Sequence, residues 1–151
     1  MMNQEVMTLI AAFPLGFVAT VTDKGKPAVS PKGTFVAVSE AVLGFADIRS
    51  PGTVRNLAST PWCEVNFIDV LKRKGARVAG ATRVVPRGMD GFDELMPHWQ
   101  ALWPDLSQRM RAFILIDVEA CSTYKTPPYD DGATEEEMVA MYKSKLAGMY
   151  N

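Results

Sequence analysis

Along the chain the hydrophobic period changes more than once. "NQEVMTLIAAF" sets Val6, Leu9, Ile10 and Phe13 at helical spacing, which predicts a short amphipathic helix ending near Pro14. From Leu15 the spacing switches to alternation. Leu15 to Thr22 reads as a strand, "DKGK" as a turn, and "PAVSPKGTF", "TFVAVS" and "AVLGFADI" as the strand-like runs that follow. "SPGTVRNLAS" predicts a short helix. "CEVNFID" and "ARVAGATRVV" predict two more strands joined by "VLKRKG", a hairpin connection with basic residues at its tip. "FDELMPHWQALW" is helical with Pro97 inside it, and "RAFILIDVEACSTY" is a last strand. "TEEEMVAMYKSKLAGMY" is a closing helix whose start is marked by Thr134 with Glu137 three positions on.

Short turns between strands, with few helical pieces, exclude a doubly wound sheet. They predict a mainly β fold: a six-stranded antiparallel barrel with peripheral helices, one domain over residues 1–151. With 48% hydrophobic residues in 151, the chain has material for a sizeable core. A formal charge of -1 supplies no basic field for nucleic acid or for an anionic membrane. Cys63 and Cys121 belong to no CxxC, so neither a structural metal site nor a disulfide framework is expected, and free thiols suit a reducing cytoplasm. "LIAAFPLGFVATV" is too short to span a bilayer and is interrupted by Pro14 and Gly16, so it reads as neither signal peptide nor anchor.

Two stretches carry candidate chemistry. In "FADIRSPGTVRNL" a strand feeds a helix through Ser50. With Ser50 at the N-cap and Pro51 at the first helical position, the amides of Gly52 and Thr53 lack intrahelical partners. Those amides, the Arg49 guanidinium and the Ser50 and Thr53 hydroxyls together suit a phosphate, although a plain capped helix has the same signature. In "PAVSPKGTF", Pro31 cannot donate to a sheet ladder and Gly33 leaves a gap on one face. A flat ring lying along Ser30 to Thr34 beside Lys32 would use that gap; an edge strand with a bulge is the alternative. No Ser-His-Asp, Cys-His or paired-carboxylate arrangement is evident. Trp62 reads as core or subunit interface, and Trp99 with Trp103 as one apolar stripe of a helix.

"SPKGTF", "LGFADIRSPGTVRNL", "TPWCEVNFID" and "RVAGATRVV" follow one another between Leu15 and Val85. In that order they resemble the successive blocks of the FMN-binding split-barrel family, the proteins related to pyridoxamine 5'-phosphate oxidase. The resemblance implies a homodimeric split barrel that binds two flavins in clefts between its subunits. It sets Ser30, Pro31, Lys32, Gly33 and Thr34 along the isoalloxazine ring, and Arg49, Ser50, Thr53 and, at the margin, Asn56 around the ribityl phosphate. Lys32 would stand near N1 and the C2 carbonyl of the ring and tune its potential. The implied function is that of an FMN-dependent oxidoreductase acting on a small, flat or conjugated molecule. Tyr124 and Tyr129, which flank "KTPP", are secondary candidates for the substrate side. A flavin protein that carries electrons without turning over a small molecule is one alternative, and a relative using the deazaflavin F420 is another. The ending "YKSKLAGMYN" lacks the arginine-containing tail of the vitamin B6 oxidases, which argues against that activity. Pro51-Gly52 stands where those enzymes place basic residues, leaving Arg49 and Lys32 to supply positive charge. The single histidine, His98, argues against a haem role.

Overall fold

In a computed structural model, which describes residues 1–150, the expected change of period becomes a helix followed by a meander. Helix α1 (Gln4–Ala12) is capped by Asn3, whose side chain accepts the Val6 N–H at 3.0 Å. Strands β1 (Gly16–Val21), β2 (Pro27–Lys32), β3 (Val36–Ala37) and β4 (Val42–Asp47) follow, then helix α2 (Pro51–Ser59). Strands β5 (Trp62–Asp69) and β6 (Lys74–Pro86), helix α3 (Phe92–Gln100), strand β7 (Ala112–Lys125) and helix α4 (Glu135–Met149) complete the order. "TFVAVS" contributes only the two residues of β3, so the barrel is carried by the six longer strands and β3 makes a seventh. Helix α4 starts at the expected capping box: the Thr134 side chain accepts the Glu137 N–H while Glu137 accepts that of Thr134.

All pairings are antiparallel, in the order β2-β1-β5-β6-β7-β4-β3. The two edge strands, β2 and β3, are neighbours in the chain with only Gly33, Thr34 and Phe35 between them. So short a connection brings the edges together, and the sheet curls into a split barrel. Position at the edge also explains the proline inside β2. Pro31 pairs with Phe17 of β1, and its missing donor falls on the unpaired side of the strand.

Strand β4 and the first five residues of β7 are buried on both faces, which explains why "LGFA" and "AFILI" read as continuous apolar runs. Leu43, Phe45, Ile114 and Ile116 point into the barrel with Val18, Phe35, Val65 and Phe67. Ala46, Phe113 and Leu115 point outward into a second cluster under α3, with Phe92, Trp99 and Met110. Each fully buried Leu, Ile or Phe contributes on the order of 1.5–3 kcal/mol, so these two clusters supply most of the driving force. The outer cluster needs a small residue in β4: a Cβ on Gly44 would lie 2.8 Å from the Trp99 ring. Trp99 is fully buried and stacks on Phe113 at 4.2 Å, as an apolar stripe should. Trp62, by contrast, is 43% exposed and so takes no part in the chain's own core.

Among the described residues no helix is long and apolar enough to cross a membrane, and no group of three or more His, Cys, Asp or Glu is placed to hold a metal.

Candidate functional site

The split in the barrel is where the sequence's two unusual stretches meet. Alternation along β2 sends Ser30 and Lys32 to the inner side and Val29 and Pro31 to the outer side. Strand β4 ends at Asp47, and the chain turns into α2 across the same opening.

Asp47 sets that turn. Only 6% exposed, its carboxylate accepts the Ser50 N–H at 2.9 Å and lies 3.4 Å from an Arg111 guanidinium nitrogen. With its amide held in this way, Ser50 occupies the N-cap position of α2 but makes no capping bond with its side chain. The side-chain bond of an ordinary capped helix, the alternative reading of this stretch, is absent here. The hydroxyl is left for something else, and the first amides of α2 keep the unsatisfied donors and partial positive charge of a helix start. Pro51 takes the first helical position as expected. A Cβ on Gly52 would meet only the Arg55 guanidinium, 3.9 Å away, so an anion has a clear approach to the backbone. The buried face of α2 carries Thr53, Asn56 and Leu57, and Asn56 anchors the helix to β1 by donating to the Thr20 hydroxyl at 3.0 Å.

Across the opening, Lys32 donates to the Ser30 hydroxyl at 2.8 Å. Burial pushes the Lys32 ammonium below the usual lysine range, and the Asp47 carboxylate opposes that shift. Gly33 has nothing within 4 Å of where a Cβ would be, so the gap inferred from sequence is open space. Thr34 is committed to the frame. Its hydroxyl accepts the Ala46 N–H at 3.0 Å and its carbonyl accepts the Trp99 indole at 2.8 Å.

Two hollows result. One, of about 260 Å³, is lined by Ser30, Lys32, Arg49, Ser50, Thr53 and Asn56, with Thr20 and Gly52. The other, of about 370 Å³, is lined by Pro31, Lys32, Gly33, Thr34, Arg49 and Ser50, with Ala46, Ile48 and Arg109. They adjoin through Lys32, Arg49 and Ser50. Every residue assigned from sequence to a ring or a phosphate thus lines one hollow or both, the phosphate residues at the α2 end and the ring residues along β2. Tyr124 and Tyr129 line neither. The Tyr124 hydroxyl donates to Asn66 at 2.8 Å, and that of Tyr129 donates to the Lys72 carbonyl, both beside the β5–β6 hairpin. A further hollow of about 280 Å³ lies beside α1 with Lys72, Lys74 and Glu135 in its wall, and shares no residue with these two.

Thr20, Asp47 and Arg109 escape the sequence reading. Asp47 leaves a faint signal there, as an acid closing a hydrophobic strand. Thr20 and Arg109 leave none, because only tertiary contacts bring them to the opening.

Residues 2–125 match the family described as pyridoxamine 5'-phosphate oxidase. No curated protein matches the chain. Among solved structures, HupZ of Group A Streptococcus is similar at 22% identity and a TM-score of 0.70, covering 83% of this chain and 96% of its own. An FMN-binding protein from Syntrophomonas wolfei is similar at 12% identity and a TM-score of 0.67, covering 82% of this chain and 86% of its own. An F420 reductase is similar at 24% identity and a TM-score of 0.55, covering 72% of this chain and 88% of its own. At these identities the likeness is one of fold.

Proposed function

The chain belongs to the pyridoxamine 5'-phosphate oxidase family, and from that membership we propose that it is an FMN-dependent oxidoreductase acting on a small conjugated substrate. One observation carries the reading: the phosphate-suited and ring-suited residues line two hollows that adjoin, and no carboxylate lines either. The parts fit FMN. The phosphate would be held by Arg49, by the Ser50 hydroxyl left free of capping, by Thr53, and by the first amides of α2 beside Gly52. The open space over Gly33 admits a flat ring against the β2 backbone.

Bound FMN would supply the hydride chemistry, its isoalloxazine ring taking up and returning two electrons. The chain's own residues bind, orient and tune. Lys32 stands where the hollows join and would favour negative charge at the near edge of the ring, with Asp47 favouring its protonated form. Asp47 also fixes the turn that presents Ser50. Trp99 and Ala46, through Thr34, keep the wall of the ring-side hollow in place.

A second copy of the chain belongs to this proposal. The register puts Phe17, Val21, Val29 and Trp62 on one face of β2-β1-β5, and all four are at least 38% exposed. Covering such a face and excluding water from the adjoining cleft is what a homodimer would do. A cytoplasmic setting suits its two free cysteines.

The test is the absorption spectrum and the mass of the cofactor released from purified protein, followed by reconstitution. FMN is expected in both. A released deazaflavin, or a protein that takes up no FMN, would overturn the proposal.

A further inference from the structure

Asp47 acts on two cations and is paired with one. Among the described residues its ion pair is with Arg111, a guanidinium nitrogen of which lies 3.4 Å from Oδ1, and the same Oδ1 accepts the Ser50 N–H at 2.9 Å. No hydrogen bond from a described residue reaches Oδ2. The carboxylate's field also favours the charged form of Lys32. Lys32 nevertheless donates to the Ser30 hydroxyl at 2.8 Å and makes no ion pair among the described residues. A buried carboxylate without a cation is costly, so an Asp47 deprived of Arg111 and holding a spare oxygen would draw on Lys32.

The main chain holds Arg111 in place beside that carboxylate. The Arg111 N–H donates to the Asp47 carbonyl at 2.8 Å, the next residue, Ala112, pairs with Asp47 in the β4–β7 ladder, and the Arg87 N–H donates to the Arg111 carbonyl at 2.8 Å. The Arg111 side chain is 59% exposed and lines neither hollow. A guanidinium so exposed adds little to folding stability through its ion pair. Its effect on charge is larger: Asp47 is balanced from outside the site, and the Lys32 ammonium stays at the junction of the two hollows.

We propose that Arg111 is a positioning residue that acts through Asp47: by balancing that carboxylate from outside both hollows, it keeps Lys32 from pairing with Asp47 and leaves the Lys32 ammonium to the flavin ring. The inference rests on the flavin reading above and adds a residue that lines neither part of the cofactor's site.

The capture of Lys32 is measured without flavin, and its consequence with it. In the flavin-free full chain, acetic anhydride labels lysines at rates that fall when an ammonium is held by a carboxylate, and the exposed Lys24 serves as the internal standard. Arg111→Gln should slow labelling of Lys32 relative to Lys24 by about two- to fivefold, the range of a partly solvated ion pair. Arg111→Lys should keep the parent's rate. Adding Asp47→Asn to Arg111→Gln should restore it, because asparagine still offers an oxygen to the Ser50 N–H but no charge to hold Lys32. With FMN bound, redox titration should give Arg111→Gln a more negative flavin potential than the parent, and the double variant a potential returned towards it. The inference is overturned if Arg111→Gln labels Lys32 at the parent's rate, if Asp47→Asn restores neither rate nor potential, or if the potential ignores Arg111. A parent that labels as expected but takes up no FMN overturns the flavin reading, and with it the role given to the freed ammonium.

Discussion

The indole nitrogen of Trp99 donates to the main-chain carbonyl of Thr34 at 2.8 Å, so a residue at the centre of the outer core holds the lip of the ring-side hollow. Stability and site are coupled through that one bond. Trp99→Phe keeps most of the stacking on Phe113 but leaves the Thr34 carbonyl buried without its donor, a loss of about 1–3 kcal/mol. Thermal unfolding should move down by several degrees and FMN affinity should fall with it. Unchanged FMN affinity in a destabilised variant would mean that the lip is held by Ala46 alone.

Lys32 is expected to act on the ring more than on binding. Lys32→Met keeps the stem and removes the charge, so the flavin potential should become more negative by tens of millivolts, about 30 mV corresponding to 1.4 kcal/mol for a two-electron couple. The parent also gains a pH dependence. Burial depresses the Lys32 ammonium, with the Asp47 carboxylate opposing, so as pH rises its charge is lost earlier than that of a free lysine. FMN affinity should therefore weaken through that alkaline range in the parent and show no such limb in Lys32→Met. Redox titration paired with affinity across pH checks both. An unchanged potential with a large loss of affinity would move Lys32 to the phosphate end.

The two walls of the site are legible in sequence because they break the rules of the elements around them. Pro31 and Gly33 are poor sheet residues, and Arg49-Ser50-Pro51-Gly52 opens a helix with more donors than a cap requires. Periodicity also yields the barrel strands, the capping box at Thr134 and the Trp99 stripe. It does not yield the short β3, since "TFVAVS" alternates well enough for a strand while the sheet edge has room for only two of its residues. Nor does it yield Arg109. That residue ends a single 3-10 turn, Ser107–Arg109, held by Arg87 from another element, and no local pattern encodes a clamp 20 residues distant in sequence.

The free thiols should differ sharply in reactivity. Cys63 is fully buried in the barrel, and burial pushes its thiol up to about 12, whereas Cys121 is half-buried and raised by the same cause. In native protein at mildly alkaline pH, iodoacetamide should label Cys121 well before Cys63, and denaturant should abolish the difference. Peptide mass mapping checks this. Equal native rates would contradict the packing of β5 in the barrel.

Val29 is the most exposed of the large apolar residues on the outer face of β1 and β2, at 67%. Val29→Glu leaves the chain's own core untouched and places a charge where a second subunit is proposed to sit. Light scattering should give a dimer for the parent and a shift towards the monomer for the variant, with weaker FMN binding at low protein concentration. A parent of monomer mass with flavin bound would remove the dimer from the proposal.

The phosphate end decides between an anion site and a structural turn. Calorimetric titration of FMN and of riboflavin, which lacks the phosphate, into the parent and into Arg49→Ala separates the two. Loss of a charge-assisted contact worth on the order of 1.5–3 kcal/mol should weaken FMN by roughly ten- to a hundredfold. Riboflavin should bind parent and variant alike. Equal losses for the two ligands would contradict the assignment, and would make Arg49 a support of the α2 turn with no part in holding the cofactor phosphate.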